Sequence, residues 1–98
     1  MIRETVFYSG RVQGVGFRHT TAGLAKEAAV AGYVQNLPDG RVKLVAEGKD
    51  ADVQAFVDAV QETLGQHIDK IDSSRSVGTG EFGVGEAYVA DGAFRVRL

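Results

Sequence analysis

The segment Gly10-Arg11-Val12-Gln13-Gly14-Val15-Gly16-Phe17-Arg18 joins a β-like stretch to a helical one, and its residue types are suited to holding an anion. Where a loop enters a helix, the first N–H groups have no intrahelical partner and the helix dipole adds about half a unit of positive charge. Glycines let an anion approach that backbone closely, so Gln13, Gly14, Val15, Gly16, Phe17 and Arg18 are candidates for a phosphate cradle. Arg18 adds a fixed cation whose planar fork of donors matches phosphate oxygens. No Gly-Lys-Ser/Thr follows, which excludes a Walker loop, and the third glycine of a dinucleotide fingerprint is missing. On these residues alone, a plain glycine-rich connection with Arg18 in solvent is an equally good reading.

A second candidate is Asn36, the only asparagine in the 98 residues, which stands just before Leu37-Pro38-Asp39-Gly40. Asn at a strand end is usually a turn residue, but its amide can also accept from a water and position it. The absence of cysteine removes disulfides, thiolate nucleophiles and Cys-ligated zinc together. His19 and His67 are far apart and lack HExxH-like spacing, so no metal is expected. Eleven Lys and Arg against 13 Asp and Glu give a net charge of -2. No overall basic field then draws the protein to nucleic acid or to an anionic membrane, and any anion site must be local. The N-terminal stretch has Arg3 and Glu4 where a signal peptide would be apolar, and no long apolar run follows, so a soluble cytoplasmic protein is the expectation.

The elements that must position these residues follow from period and punctuation. Thr5 to Ser9 is a β-branched and aromatic run ending at Gly10. From Phe17 to about Ala31 the period becomes helical, with Phe17, Thr21, Leu24, Ala25 and Ala28 on one face, and Gly32 is placed to end the helix in a left-handed conformation. Tyr33-Val34-Gln35 and Arg41 to Glu47 flank Pro38-Asp39-Gly40, which predicts a β-hairpin. Asp50 is positioned to cap a helix whose apolar residues are Val53, Phe56, Val57, Val60 and Leu64, closed by Gly65. Ile68 to Val77 is a strand diluted by serines, and Phe94 to Leu98 alternates as a terminal strand with Arg95 and Arg97 on a solvated edge. Gly78 to Gly85 reads as a loop between those two strands.

The order βαββαβ plus a short C-terminal strand is that of a ferredoxin-like α+β sandwich, an antiparallel sheet with two helices on one face, here as a single domain over residues 1–98. RNA-recognition modules share that fold, but their aromatic strand motif is absent, and Val42, Leu44 and Ala46 offer no stacking surface.

Gly10-x-Val12-Gln13-Gly14-Val15-x-Phe17-Arg18, followed by Gly32-Tyr33-Val34-Gln35-Asn36 and then by Gly40, Val42 and Gly48, resembles the two signature segments of the acylphosphatase family. The resemblance implies hydrolysis of the carboxyl-phosphate bond of acyl phosphates, without metal or cofactor, releasing inorganic phosphate. It implies that Arg18 and Asn36 are the catalytic pair and that residues 13–18 bind the substrate phosphate, in a monomer needing no partner beyond its small-molecule substrate. His19 departs from the aromatic residue of many relatives and is read as structural. The family's chain terminus tends to lie near the site, so the Leu98 carboxylate is a further candidate beside Arg18. A non-catalytic phosphate or small-anion module on the same fold is the alternative, and a carbamoyl-phosphate-handling role, as in larger maturation enzymes with such modules, is a second rival.

Overall fold

The computed structural model describes residues 1–82 and 94–97. Strands β1 (Ile2–Gly10), β2 (Ala31–Asn36), β3 (Val42–Gly48), β4 (Ile68–Val77) and β5 (Phe94–Arg97) form one sheet in the order β4-β1-β3-β2-β5. Helix α1 (Phe17–Ala25) follows β1 and helix α2 (Asp50–Leu64) follows β3, which is the expected βαββαβ order. Strands β1 to β4 pair antiparallel, whereas β5 runs parallel to β2, so the appended strand makes the sheet mixed.

Alternation along the strands decides which face the helices cover. Val6 and Tyr8 of β1, Val34 of β2 and Val42, Leu44 and Ala46 of β3 are buried in one cluster with Phe17 and Ala25 of α1 and Val53, Phe56, Val57, Val60 and Leu64 of α2. Both helices therefore lie on that face. All five apolar residues assigned to α2 from their spacing are buried. The same alternation shows that Val42, Leu44 and Ala46 are core residues, while the opposite face carries Phe7, Tyr33 and Lys43; the Lys43 ammonium lies 5.8 Å from the Phe7 ring and 5.6 Å from the Tyr33 ring. Val42, Leu44 and Ala46 therefore face the helices and not a ligand surface.

Several boundaries differ from the sequence reading. Helix α1 stops at Ala25 rather than near Ala31: Glu27 and Ala28 donate to the carbonyls of Leu24 and Ala25, three residues back, and the last turn tightens and unwinds. Gly32 is not a helix cap but a residue of β2 opposite Ala46, with φ 145°, and a Cβ there would stand 1.8 Å from the Val45 carbonyl oxygen. It is a glycine because this positive φ would aim a side chain at the carbonyl of the neighbouring strand. Asp50 is the first residue of α2 and makes no cap bond; its carboxylate accepts from Arg75 Nη1 at 2.5 Å and, with Asp52, places negative charge at the helix N-terminus. The serine-rich segment is a full ten-residue strand on the sheet edge. Arg97, on the other edge, is not simply solvated, since its guanidinium lies 3.7 Å from the centre of the Tyr33 ring.

On the face away from the helices, Glu47 is 1% exposed and takes four hydrogen bonds. Arg3 Nε donates to it at 2.6 Å, the Thr79 N–H and hydroxyl at 3.0 Å each, and the Gly80 N–H at 2.9 Å. Arg3 also pairs with Glu81 and lies 5.1 Å from the Phe82 ring, which packs edge-on against Tyr33. The expected loop after β4 is thus tied down over Thr79–Phe82; its remainder, Gly83 to Gly85, and Leu98 lie outside the described residues.

Candidate active site

Phe17 opens α1 because its ring is buried beside Tyr8 of β1, with ring centres 5.1 Å apart, which fixes where the loop must turn into the helix. Gly16 precedes it as N-cap with φ 76° and ψ 19°, a left-handed conformation that glycine adopts without cost. Its carbonyl accepts the first helical bond, from Thr20 N–H at 2.9 Å, and no side chain caps the helix. The N–H groups of Phe17, Arg18 and His19 are therefore orphans of the first turn, and among the described residues no N–H from Gly14 to His19 donates to a backbone carbonyl. These donors rim a cavity of about 290 Å³ lined by Gly14, Gly16, Phe17, Arg18 and His19 from the loop and helix, Asn36 from the end of β2, and Val12 and Val96.

Arg18 is half-buried, and its Nη1 donates to the Arg97 carbonyl at 3.1 Å, so β5 holds the guanidinium at the cavity. Asn36 is the last residue of β2, opposite Val42. Three buried side-chain oxygens have no hydrogen-bond partner among the described residues: the Tyr8 and Thr21 hydroxyls and Asn36 Oδ1. Of these three residues only Asn36 also lines the cavity. The Gln13 side chain turns the other way, its Nε2 donating to the carbonyls of Leu37 at 2.8 Å and Arg41 at 2.9 Å.

The two residues singled out from sequence thus come from different elements and line one cavity. The acylphosphatase family model matches residues 4–83, most of the chain. The chain belongs to the acylphosphatase family. It is 48% identical over 61 residues to an acylphosphatase of Archaeoglobus fulgidus, covering 62% of this chain and 68% of that one. It is 55% identical over 60 residues to an acylphosphatase of Haloarcula marismortui, covering 61% and 66% respectively, so the chain matches about two thirds of the length of these relatives. The crystal structure of the acylphosphatase from Bacillus subtilis superposes over the whole of both chains with a TM-score of 0.80 at 30% identity.

Family membership and fold are those expected from the two signature segments. Sequence reasoning placed the terminal strand but missed its part in the site: Val96 lines the cavity and the Arg97 carbonyl holds Arg18. The alternation of Phe94, Val96 and Leu98 signalled one inward face, but no local pattern signals parallel pairing with β2. It also missed the Gln13 amide, which it counted only as loop backbone. His19 is exposed and lines the cavity, and the Leu98 carboxylate, considered as a neighbour of Arg18, lies outside the described residues.

Proposed function

We propose that this chain is an acylphosphatase that holds the phosphoryl group of an acyl phosphate in the 13–18 loop and hydrolyses it by direct attack of water. The observation that carries the reading is the cavity itself, lined together by loop and helix residues whose N–H groups meet no backbone carbonyl among the described residues, by Arg18, and by Asn36, whose buried Oδ1 has no partner among them. The phosphoryl oxygens take the loop N–H groups and Arg18, so the charge of a loose transition state meets donors already in place. Asn36 Oδ1 accepts from a water and aims its oxygen at phosphorus, in line with the bond to the acyl oxygen. That bond breaks, its electron pair leaves on the carboxylate, and the water becomes part of inorganic phosphate. A carboxylate is a weakly basic leaving group and departs without a strong general acid.

The proposal includes a cytoplasmic monomer that acts as one domain with neither metal nor cofactor. Among the described residues no helix is long and apolar enough to cross a membrane. Phosphate release from acetyl phosphate, measured with a chelator present, is the test. Steady turnover that the chelator leaves unchanged is expected. Phosphate binding without turnover would instead make the chain an anion-binding module, and loss of activity on chelation would overturn metal independence. Comparing kcat/KM for acetyl, carbamoyl and glyceroyl phosphates ranks the acyl preference.

A further inference from the structure

The amide nitrogen of Gln13 has two hydrogens, and both are committed to the turn between β2 and β3. The carbonyls it meets are the ones that close the turn: Arg41 O also accepts from Leu37 N–H at 2.8 Å, and Leu37 O from Gly40 N–H at 3.1 Å. Leu37 directly follows Asn36. In the sheet β2 lies between β3 and β5 and is not paired with β1, the strand that leads into the loop. Among the described residues, the two Gln13 bonds are the only hydrogen bonds from residues 11–16 to residues 36–41.

We infer that Gln13 is a positioning residue for Asn36, its amide fixing the loop that carries the phosphate donors against the strand end that carries the water-orienting side chain. The inference rests on the reading of the cavity given under the proposed function. In-line attack depends on the distance and angle between a water held by one element and a phosphorus held by another, and a misplacement of about 1 Å can cost about 100-fold in rate. Gln13 sets that spacing without touching the reacting atoms. Its loss leaves the loop donors and Arg18 in place for ground-state binding.

The test is kinetic: Q13A and Q13E in the wild-type and N36A backgrounds, with kcat and KM for acetyl phosphate and the inhibition constant of inorganic phosphate. Q13A is expected to lower kcat about 10- to 100-fold. The phosphate inhibition constant should move less than about threefold, because the loss falls on the transition state. In the N36A background the same change should cost less than about threefold, since no oriented amide is left to displace. Q13E puts a carboxylate against two carbonyl oxygens, so at pH 7 it should be slower than Q13A. It should gain on Q13A as pH falls towards about 5 and the carboxyl group takes up a proton it can donate. An equal cost in both backgrounds, a phosphate constant rising in step with the loss of kcat, or a Q13E pH profile parallel to that of Q13A would overturn the inference. A wild-type chain that releases no phosphate fails the functional reading instead.

Discussion

The two ends of β3 handle polar groups in opposite ways. At its last turns Glu47 is sealed from water, and its carboxylate is consumed by Arg3, Thr79 and Gly80. At its first residue, Val42, the partner strand ends in Asn36, whose buried oxygen has no partner among the described residues and which lines one cavity with loop residues whose N–H groups bond to no backbone carbonyl among them. Burying an unpaired polar group is costly, so one beside a cavity is a candidate to be met by a ligand or a water. Saturated polar clusters hold a structure together, and unsaturated ones mark where a ligand completes the bonding. Buried charge alone points to Glu47 and Glu4 instead. Of the residues with a bond still to be made, only Asn36 lines the cavity that Arg18 also lines.

The contrast breaks if substitutions at the two ends have interchangeable effects. Arg18→Ala carries the largest expected loss, at least ~100-fold in turnover with weaker inhibition by phosphate, as for removal of a main oxyanion donor. Its thermal unfolding should stay close to wild type, because the side chain makes one bond to the Arg97 carbonyl and sits only half-buried. Near-normal activity would remove Arg18 from the site. Glu47→Ala should do the reverse, lowering stability by about 2 kcal/mol because it leaves the Thr79 and Gly80 N–H groups unpaired and takes the buried partner from Arg3, which keeps Glu81. Denaturant titration reads that loss, and kcat at a temperature where the variant is folded should be unchanged. A change in kcat without a change in stability would place Glu47 with the chemistry and dissolve the distinction.

Asn36→Ala sharpens the reading of the open end. Turnover should fall about tenfold while phosphate affinity is mostly kept, since orienting a water counts in the transition state and hardly in the ground state. If phosphate inhibition collapsed with turnover, Asn36 would be a ligand to the phosphate and another group would hold the water.

What the sequence made legible follows how local the physics is. Phe17, Thr21 and Ala25 of α1 and Val53, Phe56, Val57, Val60 and Leu64 of α2 declare their buried face by helical spacing, and they are buried. The loop and Asn36 could be read because orphan donors at a helix start and an amide at a strand end are local features. Gly32 was misread because a glycine after a helical run looks like a cap; its actual cause, the Val45 carbonyl 1.8 Å from where a Cβ would stand, is on a neighbouring strand. Glu47 looked like one more charge at a strand end, since Arg3, Thr79 and Gly80 reach it from distant parts of the chain. The Arg97 carbonyl carries no side-chain signature at all. Contacts between elements far apart in sequence were the illegible part, at both ends of β3.

The smallest expected effect is the dependence of stability on pH, and it tests whether Glu47 is as saturated as its bonds suggest. Burial alone would raise its carboxyl, but the Thr79 N–H, the Arg3 guanidinium, the Gly80 N–H and the Thr79 hydroxyl together hold it below the usual carboxylate value. A group whose pKa is lower folded than unfolded binds more protons in the unfolded chain. Its contribution is then fully present above the unfolded value of about 4.3 and is lost as pH falls through the folded one. Asp39 is lowered too, chiefly by the Arg41 backbone N–H, so acid unfolding of the wild type alone does not isolate Glu47. The difference in unfolding free energy between wild type and Glu47→Gln does, because Asp39 is common to both. That difference should be flat from pH 7 to about 5 and shrink below about 4. A difference that stays flat to pH 3, or that is already gone at pH 6, would mean that the charge of Glu47 contributes nothing through those four bonds, and the closed end of β3 would owe its order to packing alone.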